Sequence, residues 1–368
     1  MPLLRASANG DNHDQGQNKG EAGAHSSVCR ACVGLSVAAA GTPCYADLEI
    51  NLGVSEGHYM AATLFYSHPI CQEHEAGPQH PEQPARLAVI LAALEAPEFS
   101  GLERRSAPLS DSAALKQVHQ ADLVDAIFEH MPTEGYVAIE GDTVMSPASG
   151  EAALRAVGAV RDAVDSVITG QADNAFCAVR PPGHHAEPGR SMGFCLFNNV
   201  VLGAERARRE HGLGRIAVVD FDVHHGNGTQ AAFESDGDMF FASTHQSPLY
   251  PGSGAAEERG VGNIFNAPLS PESGSAEFRD AMQSKVFPAL RVFNPELILI
   301  SAGFDAHNDD PLAALHLYEP DYSWITTELC QIAADKCGGR IVSTLEGGYD
   351  LNALASSVAT HVAALMAA

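Results

Sequence analysis

Positive charge is scarce in this chain. Its 368 residues include 21 Lys and Arg against 46 Asp and Glu, which gives a formal net charge of −25. Nonspecific binding to nucleic acids depends largely on Lys and Arg contacts to phosphate, and anionic membrane surfaces attract the same side chains. The composition therefore argues against a nucleic-acid or membrane-surface partner. It weakly favours cationic partners such as basic peptides or polyamines.

Long apolar runs and clustered cysteines are also missing. No apolar run reaches the ~20 residues that a membrane span needs. The eight cysteines are spread along the chain without the dense spacing of a disulfide framework. We therefore predict free thiols in a reducing, cytoplasmic compartment. Cys29 and Cys32 form a lone C-x-x-C pair, and the partners that a zinc or redox site would need are not found around it.

The first 59 residues differ in composition from the rest. Residues 1–24 are rich in Asn, Asp, Gln, Gly and Ser and show no apolar periodicity, which is typical of disorder. A soft apolar run follows at 31–41, but it starts late for a secretory signal. Met60 directly precedes a strand-like segment. We predict that residues 1–59 are a weakly ordered extension and that the functional domain spans 60–368.

From Met60 onward, short β-rich runs alternate with helical stretches. The runs predicted as strands are Thr63–Tyr66, Ala175–Val179, Ile216–Val219, Met239–Ala242, Leu297–Ile300 and Ile341–Thr344. The stretches predicted as helices are Ala85–Leu94, Ala113–Phe128, Gly150–Ile168, Asn198–Glu210, Ala276–Val292, Tyr322–Ala334 and Leu351–Met366. Apolar strands alternating with helices predict a single α/β domain around a mostly parallel sheet that is covered on both faces.

Polar clusters follow five of these predicted strands. The clusters occupy 180–185, 220–228, 243–245, 301–310 and 346–349. In open α/β sheets, ligands bind beyond the carboxyl ends of the strands. The five clusters are therefore predicted to meet in one polar site.

The cluster after the Ile216 run offers metal ligands. Asp222 and His224 are two residues apart, so on an extended segment both side chains lie on the same face. A third carboxylate from Asp309 or Asp310 would complete the three-ligand, open arrangement of catalytic zinc. A single Asp-x-His pair could simply lie in a surface loop. That explanation is weaker here, because unpaired charge is costly directly after a buried strand.

The remaining clusters offer acid–base groups. His184 and His185 follow a stiff Pro-Pro-Gly turn, and an imidazole beside a metal-bound water can act as base or acid. Either ring could instead be a ligand or a hydrogen-bonded core residue. Asp220 is suited to hold a His ring nitrogen. Tyr349 follows two glycines that permit a tight approach, and its phenol could donate to an oxyanion.

Five segments together resemble the zinc-dependent histone deacetylase superfamily, above all its class II branch and the bacterial histone deacetylase-like amidohydrolases. They read RPPGHHAEPGRSMGFCLFNNV, VVDFDVHHGNGTQ, STHQSPLYPGSG, SAGFDAHNDDPLA and LEGGYDL. The segment HPICQEHEAGPQHPEQPARL is similar to the same branch, so the likeness runs from about Thr63 to the C-terminus. The resemblance implies the arginase–deacetylase fold, a three-layer α/β/α sandwich around a roughly eight-stranded parallel sheet.

Residue by residue, the resemblance implies a catalytic zinc and its partners. Its ligands would be Asp222, His224 and Asp310, the last chosen over Asp309 because it directly precedes the proline of the DPL segment. His184 and His185 would be the tandem catalytic histidines, with His185 as the base. Asp220 would orient His184, and Tyr349 would be the catalytic tyrosine. Asn227 stands where the family often has Asp, so His185 should be less easily held as a cation.

The resemblance also implies a substrate tunnel and a second cation. The tunnel residues would be Gly193, Phe194, Tyr250 and Leu312. A structural K⁺ would lie among Asp220, Asp222, His224, Ser243 and Thr244.

The implied activity is zinc-dependent hydrolysis of an acyl-lysine amide in proteins or peptides, with release of acetate. An acetylpolyamine or another small acylated amine is the alternative substrate. The polyamine-selective branch has Glu where this chain has Leu312, which favours acyl-lysine. A catalytically silent acyl-ligand or metal-binding module is a further alternative, although no motif residue is lost. Fe²⁺ or Co²⁺ could replace Zn²⁺, and self-association stays open.

Overall fold

Eight strands form one parallel sheet in the computed structural model, which describes residues 62–368. The ten strands are β1 Thr63–Ser67, β2 Glu103–Ser106, β3 Val137–Glu140, β4 Thr143–Met145, β5 Asn174–Cys177, β6 Ile216–Asp220, β7 Met239–Gln246, β8 Ile264–Leu269, β9 Leu297–Ala302 and β10 Ile341–Leu345. The main sheet has the order β2-β1-β5-β10-β9-β6-β7-β8, and β3 and β4 form a separate antiparallel hairpin.

Helices connect the strands and cover the sheet. They are α1 Ile70–Glu73, α2 Pro84–Ala93, α3 Ser112–Leu115, α4 Ala121–Glu129, α5 Ser149–Ile168, α6 Asn199–His211, α7 Asn227–Phe233, α8 Ser275–Ala281, α9 Phe287–Phe293, α10 Glu319–Cys337 and α11 Leu351–Met366. α5 packs on α6, whereas α2 and α10 pack on α11. The central strands are buried along their whole length, as a sheet covered on both faces requires. The predicted α/β architecture is confirmed.

The six predicted strands are present, and the unpredicted ones have weak sequence signals. β2 reads ERRS and is largely exposed at one edge of the sheet, so it shows no apolar pattern. β8, at the other edge, contains Pro268, a residue that sheets tolerate mainly at edges. The hairpin strands β3 and β4 have only four and three residues. These strands depend on pairing rather than on local propensity.

Two predicted helices are interrupted, each for a visible reason. Between α3 and α4, His119 is buried and contacts the carbonyl of Glu187 and the amide of Asn198, which pulls the chain out of the helix. Between α8 and α9, residues Met282–Val286 form a wide π turn. Pro288 in the first turn of α9 has no amide hydrogen to continue the regular pattern.

Two predictions concern the first residues and the compartment. The proposed extension 1–59, the boundary at Met60 and the Cys29–Cys32 pair lie outside the described residues. The five cysteines of the described part are buried free thiols, as predicted: Cys71, Cys177, Cys195, Cys330 and Cys337. Within residues 62–368, no helix combines the length and the apolar character needed to cross a membrane.

Candidate active site

The five polar clusters meet at one edge of the sheet. They follow β5, β10, β9, β6 and β7, and these five strands are consecutive neighbours in the sheet. The register places Asp220 of β6 beside Ser301 of β9 on one side and Ser243 of β7 on the other. Because all five strands are parallel, their carboxyl ends point to the same side. The predicted convergence is confirmed.

A cavity of about 210 Å³ opens at this edge. All four predicted tunnel residues line it. His184, His185, His224 and Tyr349 line it as well. Its walls also include Asp142 and Leu249, which the sequence did not single out, and Pro182 and Gly347 from the turns that precede the histidines and Tyr349. The complete lining is Asp142, Pro182, His184, His185, Gly193, Phe194, His224, Leu249, Tyr250, Leu312, Gly347 and Tyr349.

His184 is paired with Asp220, as the sequence predicted. Its Nδ1 lies 2.9 Å from Asp220 Oδ2, and its Nε2 lies 3.8 Å from Asp222 Oδ1. Burial alone would lower the pKa of His184, but the carboxylates of Asp220 and Asp222 raise it well above its ordinary value. This pair of carboxylates therefore favours the imidazolium form of His184.

His185 has the opposite environment. Its Nδ1 lies 2.8 Å from Asn227 Oδ1, and the amide of Asn227 donates to Glu187 at 2.7 Å, which leaves its oxygen to accept from His185. Burial and then the nearby charges of His184 and His224 lower the pKa of His185 well below its usual range. The pKa values of the two adjacent rings, whose centroids are 4.0 Å apart, are thus shifted in opposite directions. A neutral imidazole is the form that can accept a proton.

In the described part of the chain, the buried side chains of Asp222, His224 and Asp305 bring three atoms of metal-ligand type close together. His224 Nδ1 lies 3.0 Å from Asp222 Oδ1 and 3.1 Å from Asp305 Oδ2, and the three atoms lie within 4.8 Å of one another. The sequence analysis named Asp310 as the third ligand, and that assignment stays a prediction. Asp305, three residues beyond the end of β9, is a further buried carboxylate beside His224.

Asp310 is instead surrounded by backbone amides. Its Oδ1 accepts a hydrogen bond from Leu312 N at 3.0 Å, and its Oδ2 accepts from Tyr349 N at 2.7 Å. Burial and the neighbouring charge of Asp305 raise the pKa of Asp310 to about 7. In this geometry Asp310 joins the loop after β9 to the loop after β10. Its neighbour Asp309 is exposed.

The donor set fits a divalent cation. Asp222 and Asp305 are buried, and one oxygen of each carboxylate lies beside His224 Nδ1. The other oxygens accept from Gly347 N and Val223 N respectively, and Asp222 Oδ1 also accepts from the amide of His224. Burial and the charge of Asp222 raise the pKa of Asp305, although the hydrogen bond to His224 opposes the shift. Two carboxylates and one imidazole nitrogen are ligands of the kind that zinc takes in catalytic sites.

The predicted potassium residues are also close together. Ser243 and Thr244 belong to β7, and Ser243 pairs with Asp220 in the sheet. Ser243 Oγ lies 2.9 Å from His245 Nδ1. Thr244 Oγ1 is buried and has no hydrogen-bond partner among the described residues.

The aromatic wall of the cavity depends on a glycine and on the β3–β4 hairpin. Gly193 has φ +58°, and a Cβ there would lie 2.7 Å from Cγ of His185. The amides of Gly193 and Phe194 donate to Asp142 Oδ1 and Thr143 Oγ1 at 3.2 and 3.1 Å. The Phe194 ring then meets the Tyr349 ring edge-on, at 5.9 Å between centroids. Asp142 thus lies at the cavity through a hairpin that had no clear sequence signal.

Tyr349 is held from behind by a buried arginine. Arg86 Nε donates to Gly348 O at 2.6 Å, and its guanidinium carbon lies 4.9 Å from the centre of the Tyr349 ring. Glu346, the first residue after β10, accepts hydrogen bonds from the amides of Gly183 and His184 at 2.7 and 3.1 Å. The loop that carries the phenol and the turn that carries the histidines are therefore braced against each other.

Comparisons with known proteins agree with this site. The family description "Histone deacetylase domain" matches residues 80–365. The histone deacetylase-like amidohydrolase of Pseudomonas aeruginosa is 37% identical over 310 residues, which cover 78% of this chain and 81% of that protein. Histone deacetylase 14, chloroplastic, of Arabidopsis thaliana is 39% identical over 326 residues, with 83% and 77% covered.

A solved structure shows the same fold. The HD domain of HDA15 aligns with a TM-score of 0.79 at 34% sequence identity, covering 84% of this chain and 89% of that one. The family match spans well over half of the chain, and the relatives are aligned over most of their length. The family resemblance that the motifs indicated is confirmed. The chain belongs to the histone deacetylase family of hydrolases.

Proposed function

We propose that this protein is a zinc-dependent deacetylase that removes acetyl groups from the ε-amine of lysine in peptides or proteins. The observation that carries the proposal is the pair of adjacent histidines at one narrow cavity, one paired with the carboxylate of Asp220 and the other with the amide of Asn227. Tyr349 lies in the same cavity, and a cluster of metal-ligand type adjoins it. An amide hydrolase needs a base, an oxyanion donor and an electrophile in one place.

Asp222, His224 and Asp305 are the proposed holders of Zn²⁺. Asp310, the ligand that the family resemblance implies, is the alternative third carboxylate. When bound, the ion supplies a Lewis acid for the acyl carbonyl and lowers the pKa of a water molecule toward ~7. The proposed K⁺ site uses oxygens around Asp220, Asp222, His224, Ser243 and Thr244. The unpartnered Thr244 hydroxyl supports it, because buried polar atoms normally have a partner.

The protein side chains divide the proton transfers between them. His185, whose pKa is lowered by burial and by the nearby charges of His184 and His224, takes a proton from the attacking water. The hydroxyl of Tyr349 donates to the oxygen of the tetrahedral intermediate, and such a donor is typically worth ~3–4 kcal/mol of transition-state stabilisation. His185 then passes its proton to the departing lysine amine, and acetate is left. His184 stays charged beside Asp220 and stabilises negative charge nearby.

The lysine substrate is favoured over a polyamine by one wall of the cavity. Leu312 provides an apolar contact for the aliphatic part of a lysine side chain. Asp142 and the net charge of −25 favour any cationic substrate, so the polyamine alternative stays testable. Turnover of an acetyl-lysine peptide should exceed that of N-acetylputrescine at equal concentration. The opposite order would assign the cavity to small acylated amines.

The test of the mechanism is Tyr349→Phe. We expect kcat on an acetyl-lysine peptide to fall by about 100-fold or more, since one oxyanion donor is lost. Zinc content, measured by elemental analysis, should stay stoichiometric. Tyr318→Phe is the matched control, because Tyr318 is 46% exposed and lies outside the cavity. Near-normal turnover by Tyr349→Phe would refute the role of the phenol.

Two further points belong to the proposal. A wild-type protein that binds zinc but hydrolyses no acyl-amide would instead be a silent acyl-ligand or metal-binding module. We also propose a cytoplasmic location, supported by the unpaired thiols of the five described cysteines.

A further inference from the structure

The loop 247–258 forms one wall of the cavity and is called here the Tyr250 loop. Tyr250 reaches from this loop over the floor of the cavity. Its ring meets the ring of His185 edge-on, at 5.1 Å between centroids, and lies 6.3 Å from the ring of His224. Tyr250 is 38% exposed, so contacts of its own side chain do not fully determine its place. The backbone of the loop has to be held by other residues.

Glu258 binds the loop to itself and to α7. Its carboxylate accepts hydrogen bonds from the amides of Gly254 and Ala255 at 3.2 and 3.0 Å. It also accepts one from Gln230 Nε2, in α7, at 2.6 Å. Burial opposes ionisation, but the hydrogen bond from Gln230 and those from the two amides lower the pKa of Glu258. The carboxylate is therefore an anion that organises three donors.

Gln230 connects Glu258 to His225, the residue that follows His224 of the metal cluster. Because its amide nitrogen donates to a carboxylate, its oxygen must be the acceptor for His225 Nε2 at 2.9 Å. His225 Nδ1 then accepts from the hydroxyl of Ser253 at 2.8 Å. The hydrogen bonds run in one direction, from Ser253 through His225 and Gln230 to Glu258. Both ends of this chain are in the Tyr250 loop.

The loop backbone is seated directly on two histidine rings. Gly254 has φ +88°, and a Cβ there would lie 2.6 Å from His225 Cγ and 2.6 Å from His245 Nε2. His245 Nε2 also donates to Gly254 O at 3.0 Å. His225 directly follows His224 in the sequence. The Tyr250 loop thus packs on His225, which is joined by a single peptide bond to His224 of the metal cluster.

We propose that Glu258 and Gln230 are positioning residues that hold Tyr250 against His185 and so set the width of the acyl pocket. This inference rests on the proposed deacetylase function. Neither side chain lines the cavity, so both act through the Tyr250 loop. The loop touches substrate in the ground state and in the transition state alike, so loosening it should raise KM more than it lowers kcat. A wider pocket should also discriminate less between short and long acyl chains.

The experiment compares Glu258→Ala with Glu257→Ala. Glu257 is the exposed neighbouring acid, so the control removes the same charge without touching the clamp. We expect Glu258→Ala to raise KM for an acetyl-lysine peptide by about tenfold, the equivalent of one charged hydrogen bond. The preference for acetyl-lysine over butyryl-lysine in kcat/KM should shrink by about the same factor. Hydrogen exchange of peptides from 247–256 should become faster, while exchange in the central strands stays unchanged.

Two further variants protect the test against simple misfolding. Glu258→Gln keeps the size of the side chain but removes the charge and leaves one acceptor oxygen in place of two. It cannot accept from all three donors, so it should shift the acyl preference in the same direction. Glu258→Ala combined with Gln230→Ala should be no worse than the worse single variant, because both break one chain.

Equal acyl preference and equal loop exchange in Glu258→Ala and Glu257→Ala would overturn the inference. If the wild-type protein hydrolysed none of the peptides, the proposed function would fail instead. Hydrogen exchange, which does not depend on activity, would still decide whether Glu258 holds the loop.

Discussion

Two buried aspartates after β9, Asp305 and Asp310, have different neighbours although they are only five residues apart. Asp305 turns one oxygen toward His224 and the other toward a backbone amide. Asp310 directs both oxygens at backbone amides and thereby holds the chain at Tyr349. At the scale of single residues, Asp305 and Asp310 are alike in burial and formal charge. Their different hydrogen-bond partners therefore decide what each carboxylate does.

These partners predict different effects on metal binding. Asp305→Asn should weaken zinc binding by more than about 100-fold, since even outer partners of metal ligands are worth 10–100-fold. Asp310→Asn should keep stoichiometric zinc, because an amide oxygen can still accept from Tyr349 N. Elemental analysis after dialysis against a weak chelator measures both. Zinc loss in Asp310→Asn with retention in Asp305→Asn would return Asp310 to the ligand set.

At the scale of elements, a buried ion network joins α2 to the loops around the site. Glu82 is fully buried between Arg86, at 3.1 Å, and Arg180, whose guanidinium binds both of its oxygens. Arg180 also donates to the carbonyls of Cys71 and His74 at 2.6 and 3.1 Å. One carboxylate therefore orients two arginines, one behind Tyr349 and one before the tandem histidines.

Removal of this carboxylate should be costly. Glu82→Gln leaves two buried guanidinium groups without their counter-charge, so we expect a loss of about 3–5 kcal/mol in the free energy of unfolding. Urea denaturation of Glu82→Gln beside Glu95→Gln measures it, since Glu95 pairs with Arg104 at the surface and should contribute little. Equal unfolding midpoints in the two variants would contradict the importance of the network.

The same network predicts the sign of a pH effect. Although burial opposes it, Arg180 and His74 hold the pKa of Glu82 well below its ordinary value. The stabilisation is therefore complete above the pKa of about 4.3 of an unfolded glutamate and is lost as the pH falls through the folded pKa. The difference between wild type and Glu82→Gln should be constant from about pH 6 to 8 and shrink below about pH 4.

At the scale of the whole molecule, the residues of the site come from five strands and from a hairpin far from them in the chain. The described residues contain the eight-stranded sheet, the helices packed on it and the cavity, and β1 begins at Thr63. Residues 60–368, expressed alone, should therefore be soluble and should have the kcat/KM of the full chain. An insoluble or inactive product would show that residues 1–59 belong to the functional domain.

What could be predicted from the sequence follows the strength of local signals. The central strands are continuous apolar runs. Because the sheet is parallel, the polar residues directly after these strands can be placed at one edge of the sheet. Charged β2, proline-containing β8 and the short hairpin strands have no such signal, because partner strands stabilise them. The break between α3 and α4 likewise depends on His119 contacts to residues about 70–80 positions away.

The sequence alone determined the alternation of strands and helices, the edge of the sheet that holds the chemistry, and the pair of histidines with their tyrosine. Only the tertiary structure decided that Asp305 rather than Asp310 faces His224, that Asp142 reaches the cavity, and that Glu258 anchors the Tyr250 loop. The reason is physical: periodicity and residue type specify which elements form, whereas the direction of a loop side chain depends on partners that folding brings from distant parts of the chain.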